Sequence, residues 1–385
     1  MTSRRFAAAL SEHPDLAQAT AEVAGQVLEK LDSPPELAVL FVSRPHLGRF
    51  EEAAAAVRAV LRPNVLIGCA AESVVGGSRE VEGSPGVSLW AGDTGAVTPF
   101  HLTATMTPDG PMFAGWPDIG PDVSGMVVVA DPFSFPADVF LQRMGSEHPG
   151  VPVVGGMALA GQAPGQNRLA LDDQVVHEGA IGVLLGPGVQ VTTVVSQGCR
   201  PVGNPFVVTR AEGAVVYELA GRPPLQRLGE VAESMPEEER NLLYRGVHLG
   251  IVIDEHKADF GRGDFLIRNV LGGDPQSGAI QVGDVVEVGA TTQFQIRDAD
   301  SADEDLRQLL AGRSADAALL FTCNGRGVNL FGKENPDHDA TVVAEGLGGA
   351  PVAGMFCAGE LGPVGGRPFL HGFTASLVLL SQPPG

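Results

Sequence analysis

The 385-residue sequence has no closely spaced cysteine pair, no surplus of basic residues and no apolar run long enough to cross a bilayer. Each absence removes a class of function. The four cysteines, Cys69, Cys199, Cys323 and Cys357, occur singly, which fits a reducing cytoplasm and argues against a zinc ribbon. Lys and Arg number 25 against 46 Asp and Glu, and the resulting net charge of −21 repels nucleic-acid phosphates and anionic lipid. The stretch GAIGVLLGPGVQVTTVV is broken by Gly and Pro well short of the roughly 18 residues a span requires. The beginning, MTSRRFAAALSEHPDL, turns acidic after a short apolar stretch and reads as a helix start, not a signal peptide. No P-loop, GxSxG, HExxH or EF-hand loop is present, and the nine His are scattered. VVGGMALAGQ has small residues for close backbone approach, but no helix clearly follows it as a dinucleotide fingerprint demands. The expectation is a cytoplasmic protein with no metal, no cofactor, and neither nucleic acid nor membrane as partner.

What the sequence does contain is repetition. IGCAAESVVGG at residues 67–77 is echoed by FCAGELGPVGG at 356–366, each a Cys-Ala-x-Glu phrase running into Gly-Gly. Around them, three segments share one order: apolar strand, helix, strand ending in small residues, Gly-rich turn, and further strands. The first begins at ELAVLFVS, the second at GMVVVADP, and the third at DAALLFTCNGRG. A degenerate fourth copy, from LGIVIDE through DVVEVGATTQFQIRD, keeps strands without the intervening helix. A strand–helix–strand unit pairs its strands in parallel, and the trailing strands add antiparallel neighbours. The fold class is therefore α/β shading to α+β, with mixed sheets in two similar halves, 1–200 and 201–385. The boundary falls near SQGCRPVGNPF.

Together with SQGCRPVGNPFVVTRAEGAVVYELAGRP, GDFLIRNVLGGDPQSGAIQVGD, LLFTCNGRG and FCAGELGPVGGRPFLHGFT, these phrases resemble the FIST family over nearly the whole chain. That resemblance implies an N-terminal and a C-terminal FIST domain forming an intracellular sensory module for a small ligand, an amino acid being the usual suggestion. Relatives of this kind are often fused to signalling output domains. None follows SQPPG here, so a separate output protein is the expected partner.

Several residues are candidates for the ligand site. In CNGRG, Cys323, Asn324 and Arg326 follow an apolar strand, where ligands of such sheets tend to bind. Arg326 offers a planar fork to a carboxylate, and Asn324 a partner for an amide or amino group, so the expected ligand is an amino acid or related small carboxylate. The alternative is a glycine turn carrying an exposed arginine. Glu360 is placed to accept an ammonium, or else to cap turn amides or pair with Arg367. Arg367 and His371 would stand on the rim, and Cys357 beside the site. Arg262 and Asp264 in GRGD form another wall, or only a loop entering a strand. No residue is assigned a catalytic role. A cysteine- or carboxylate-dependent enzyme is the alternative function and an interaction scaffold the second, but no nucleophile–base arrangement is recognisable.

Overall fold

A computed structural model describes residues 5–383. Its chain forms two compact units: one from the residues through Val195 together with those from Leu306 onward, the other from Ser196–Asp305. The start of the second unit falls within the SQGCRPVGNPF segment, and the chain returns to the first unit at Leu306.

The first unit opens with strand β1 (Phe6–Ser11) and helix α1 (Leu16–Lys30). Residues 6–11, expected to start a helix, instead pair antiparallel with a later strand, and Phe6 stacks on Trp90 at 5.5 Å. The helix begins only after Asp15, whose side chain accepts from the Gln18 amide as an N-cap. Repeat 1 follows: β2 (Leu37–Ser43), α2 (Phe50–Leu61), β3 (Val65–Ala71), the hairpin β4 (Val74–Gly76) and β5 (Arg79–Val81), β6 (Val87–Gly92) and β7 (Val97–Thr107). β8 (Gly110–Ala114) folds back on β7. Repeat 2 comprises β9 (Gly125–Ala130), α3 (Ala137–Glu147), β10 (Val153–Met157), hairpin β11 (Leu169–Leu171) and β12 (Gln174–Val176), β13 (Ala180–Leu185) and β14 (Gln190–Gln197).

The second unit holds β15 (Cys199–Pro201), β16 (Phe206–Glu212), β17 (Val215–Leu219), α4 (Pro224–Ser234), α5 (Glu237–Arg245), β18 (Val247–Val252), β19 (Phe265–Gly273), β20 (Ile280–Val282) and β21 (Thr291–Arg297). Its sheet closes on itself through β18–β21, giving a small barrel around Val208, Leu219, Leu249, Ile280 and Phe294. Every pairing described in this segment is antiparallel, so the supposed fourth copy lacks the parallel pair that defines the others. After α6 (Ala299–Leu310), repeat 3 completes the first unit: β22 (Ala317–Cys323), α7 (Val328–Phe331), α8 (His338–Gly346), β23 (Val352–Cys357), hairpin β24 (Glu360–Val364) and β25 (Arg367–His371), and β26 (Thr374–Ser381).

The three repeats build three mixed sheets by exchange. Their orders are β1-β6-β2-β3-β11-β12, β8-β7-β13-β9-β10-β24-β25 and β14-β26-β22-β23-β4-β5. Each repeat gives its hairpin to the sheet of another: hairpin 1 extends sheet 3, hairpin 2 extends sheet 1, and hairpin 3 extends sheet 2. The exit strands β7 and β14 pass the other way round the ring, and β1 takes the corresponding place in sheet 1. The helix-free faces share one core, where Phe41, Val129, Phe321 and Met355 meet, while the opposite faces pack on their own helices. Strands buried on both faces read as continuous apolar runs, which is why the sequence segments are so uniformly hydrophobic.

One register recurs in all three parallel pairs. Leu40 faces Gly68, Val128 faces Gly155, and Leu320 faces Gly354. A Cβ on Gly68 would sit 2.3 Å from the Leu40 carbonyl oxygen, and one on Gly354 would sit 2.0 Å from that of Leu320. Only glycine permits this approach.

Candidate functional site

At the carboxyl edge of β22 and β23 the chain assembles a buried polar cluster. β22 ends at Cys323, the Asn324 amide donates to the Cys357 carbonyl at 2.9 Å, and the chain turns so that Arg326 points inward. Gly327 then starts α7 at φ 54° with its α-carbon against Glu82, where a Cβ would lie 2.3 Å from the carboxylate. The glycine turn foreseen in CNGRG is present, but the arginine in it is fully buried, not exposed. Its fork already holds a carboxylate. Nε donates to Asp339 Oδ2 at 2.7 Å and Nη2 to Oδ1 at 2.8 Å. Thr322 Oγ1 donates to the same Oδ2 at 2.7 Å, His338 Nδ1 lies 3.1 Å from Oδ1, and the guanidinium stands 5.3 Å from the Phe331 ring centre. Burial pushes the Asp339 carboxyl upward, but the guanidinium charge and these hydrogen bonds outweigh it and hold the group well below its ordinary value.

Hairpin 1 supplies two further carboxyls. Glu80 Oε1 accepts from the Ala340 amide at 2.9 Å, and Glu82 Oε1 from the Val328 amide at 2.9 Å, so both ends of the Arg326 segment are tied to repeat 1. Burial, reinforced by the charge of Asp339, raises Glu80 well above the ordinary carboxyl range, and its Oε2 accepts no hydrogen bond.

Glu360 is the second pole of the cluster. It is fully buried at the start of β24, opposite His371 in the hairpin. Its Oε2 accepts from the Thr374 amide at 3.2 Å and the Thr374 hydroxyl at 2.9 Å. Its Oε1 and the buried Oδ1 of Asn324 have no nitrogen or oxygen donor, the Cys323 thiol being a weak donor that bears on the Glu360 carboxyl. Burial pushes the Glu360 carboxyl up to about 8, with the Thr374 bonds, Arg326 and the neighbouring Cys323 thiol pulling partly back. At neutral pH it is mostly an uncharged acid, able to donate and accept. Burial likewise pushes Cys323 up to about 12 and Cys357 well above the usual thiol value, the reverse of what activates a nucleophile.

Of the sequence candidates, Cys323, Arg326 and Glu360 are thus neighbours. Cys357 lies in the shared core, where a Cβ on Gly156 would collide with its sulfur at 2.2 Å. His371 is buried with Nε2 2.9 Å from the Gly362 carbonyl oxygen. Arg367 sits exposed at the hairpin turn, 5.5 Å from the Phe369 ring centre. Arg262 and Asp264 belong to the second unit and have local partners there: Glu304 at 3.2 Å and Lys257, respectively. Asp339, Glu80 and Thr374 went unnoticed in the sequence. The acidic DHD that opens α8 was the available signal for Asp339; Glu80 lies 259 residues from it and carries no local signature.

Two family models match consecutive stretches of this chain: a FIST N domain over residues 36–222 and a FIST C domain over residues 224–363. The chain belongs to the FIST family. FIST domains are generally small-ligand sensory modules. The FIST N match covers repeats 1 and 2 and runs into the barrel, and the FIST C match carries the rest of the barrel and repeat 3 as far as Pro363. This FIST protein is 45% identical over 382 residues to the uncharacterized protein Rv0628c of Mycobacterium tuberculosis, covering 97% of this chain and 99% of the relative. It is 45% identical over 374 residues to the uncharacterized protein Mb0898c of Mycobacterium bovis, covering 95% and 96%. Among the described residues of this FIST chain, no helix is long and apolar enough to cross a membrane, and no group of three or more His, Cys, Asp or Glu side chains is arranged to hold a metal ion.

Proposed function

We propose that this protein is a cytoplasmic sensory module that binds an amino acid or related small molecule at the carboxyl edge of β22 and β23. It would report occupancy to a separate output protein. Asn324 and Glu360 face the ligand, the Arg326–Asp339 pair frames the site, and Glu80 and Glu82 couple it to repeat 1.

The observation that supports this reading is the unpartnered Oε1 of Glu360. Leaving a buried carboxyl oxygen without a hydrogen bond costs about 1–3 kcal/mol, and native proteins carry few such atoms. A ligand that completes the bond recovers that cost. The position agrees with the general placement of ligands beyond the carboxyl ends of parallel strands. The raised thiol values favour binding over cysteine chemistry.

A thermal-shift screen of amino acids and small metabolites tests the proposal. A ligand at 100 times its dissociation constant adds about 2.7 kcal/mol of stability. The response should vanish in N324A and E360Q and persist in R367A, whose side chain is exposed. A ligand whose effect survives both N324A and E360Q would place the site elsewhere.

A further inference from the structure

We infer that the group recognised at this edge is rich in N–H donors, a primary ammonium or a carboxamide, and that a ligand carboxylate is not needed there. The inference rests on the reading of this edge as the ligand site and adds the chemistry of the ligand.

The protein contains its own comparison. Glu72, Asn167 and Glu360 each lie five residues before the first turn residue of their hairpin: Gly77, Asp172 and Gly365, with φ of 59°, 53° and 58°. They are equivalent positions of the three repeats. In repeat 1, Glu72 is ion-paired at 3.7 Å with Arg44, the residue that follows β2. In repeat 2, Asn167 Nδ2 donates to Asp131 Oδ1 at 2.7 Å, just past β9, and its Oδ1 accepts from the Gly161 amide at 2.7 Å. Donor meets acceptor in both.

Repeat 3 breaks the pattern. The equivalent residue is Glu360, an acceptor through Oε1, and the end of β22 offers it Cys323, whose thiol is a weak donor. The next residue, Asn324, adds another buried acceptor oxygen without a partner. Both prongs of Arg326 are taken by Asp339. An incoming carboxylate would therefore find the arginine fork occupied and, of the two unpartnered oxygens, only a protonated Glu360 able to donate to it. An ammonium or a carboxamide brings two or more N–H groups at once and supplies what Arg44 and Asn167 supply in the sister repeats.

The two ligand types differ in their protons. The groups bearing on Glu360 are Cys323 at the end of β22, Arg326 after it, Cys357 on β23, Thr374 at β26 and His371 on β25. With the carboxyl protonated below about 8, binding a primary ammonium forms an ion pair and sends the Glu360 proton to solvent. A carboxamide leaves that proton in place. Apart from that one proton passing from the carboxyl to solvent in the ammonium case, no covalent bond changes.

Isothermal titration calorimetry with ethylammonium, propionamide and propionate, at pH 7 in two buffers of different protonation enthalpy, provides the test. Ethylammonium or propionamide is expected to bind and propionate is not. Ethylammonium binding should release up to one proton, and E360Q should weaken it by about tenfold or more and abolish the release. Where E360Q perturbs folding, N324A carries the same affinity test. Propionate binding with the two nitrogen probes silent overturns this inference and leaves the ligand site standing. Binding of any probe unchanged in both E360Q and N324A overturns the site itself. Failure of all three probes, with an amino acid still binding through Glu360 and Asn324, overturns only the claim that the nitrogen group suffices.

Discussion

Arg326 and Asp339 are locked together in a two-pronged ion pair at 2.7 and 2.8 Å, with both side chains fully shielded from solvent. Taking two charges out of water is costly, and only mutual attraction and complete hydrogen bonding offset it. Removing one partner strands the other. R326A and D339A are each expected to cost about 3–5 kcal/mol, whereas R326L/D339L should cost less than the sum of the two. Urea denaturation of the three variants measures this. A loss below 1 kcal/mol in R326A would mean that the pair does not hold the loop.

Stability should also depend on pH through Glu360. Its carboxyl titrates near 4.5 when unfolded and at about 8 when folded. Between those values the folded protein holds a proton that the unfolded chain has lost, so stability falls as pH rises through this window, by up to about 1.4 kcal/mol per pH unit. Glu80, also raised, adds to the slope. E360Q should flatten it in part, which urea midpoints across the window will reveal. A wild-type midpoint that rises from the lower to the upper end of the window would contradict the assignment.

All four cysteines are buried and outside any disulfide. The native protein should therefore react slowly with a thiol reagent, and the unfolded chain should yield four thiols. Rapid native labelling of Cys323 would show that the cluster opens readily.

The glycines of the parallel pairs give a sharper packing test. A methyl at Gly68 or Gly354 cannot avoid a backbone carbonyl, and backbone does not yield as a side chain does. G68A and G354A should each lower stability by more than about 3 kcal/mol or prevent folding, while G48A, with open space around it, should be nearly neutral. Comparable melting temperatures for G354A and G48A would refute the close approach.

The repeats were legible in the sequence because strands buried on both faces must be apolar throughout and two-residue hairpins require left-handed turn residues. The Cys-Ala-x-Glu echo was legible too, and its meaning is subtle. Glu72 and Glu360 keep step with their hairpin turns, yet Cys69 is two residues out of step with Cys357 in the strand register. By the Leu40–Gly68 and Leu320–Gly354 pairs, Cys69 corresponds to Met355, and the two sulfurs meet at 3.1 Å in the shared core. The Gly-Arg-Gly of CNGRG announced a turn at the end of a strand, and the turn is there. Whether Arg326 faced water or protein was decided by Asp339, 13 residues on, and by Glu80 and Glu82 from a hairpin some 250 residues earlier. Local patterns fix periodicity and turns because those depend on neighbouring residues. The charge state and partners of a buried group depend on which distant strands the exchange of hairpins brings beside it, and that is written only in the tertiary structure.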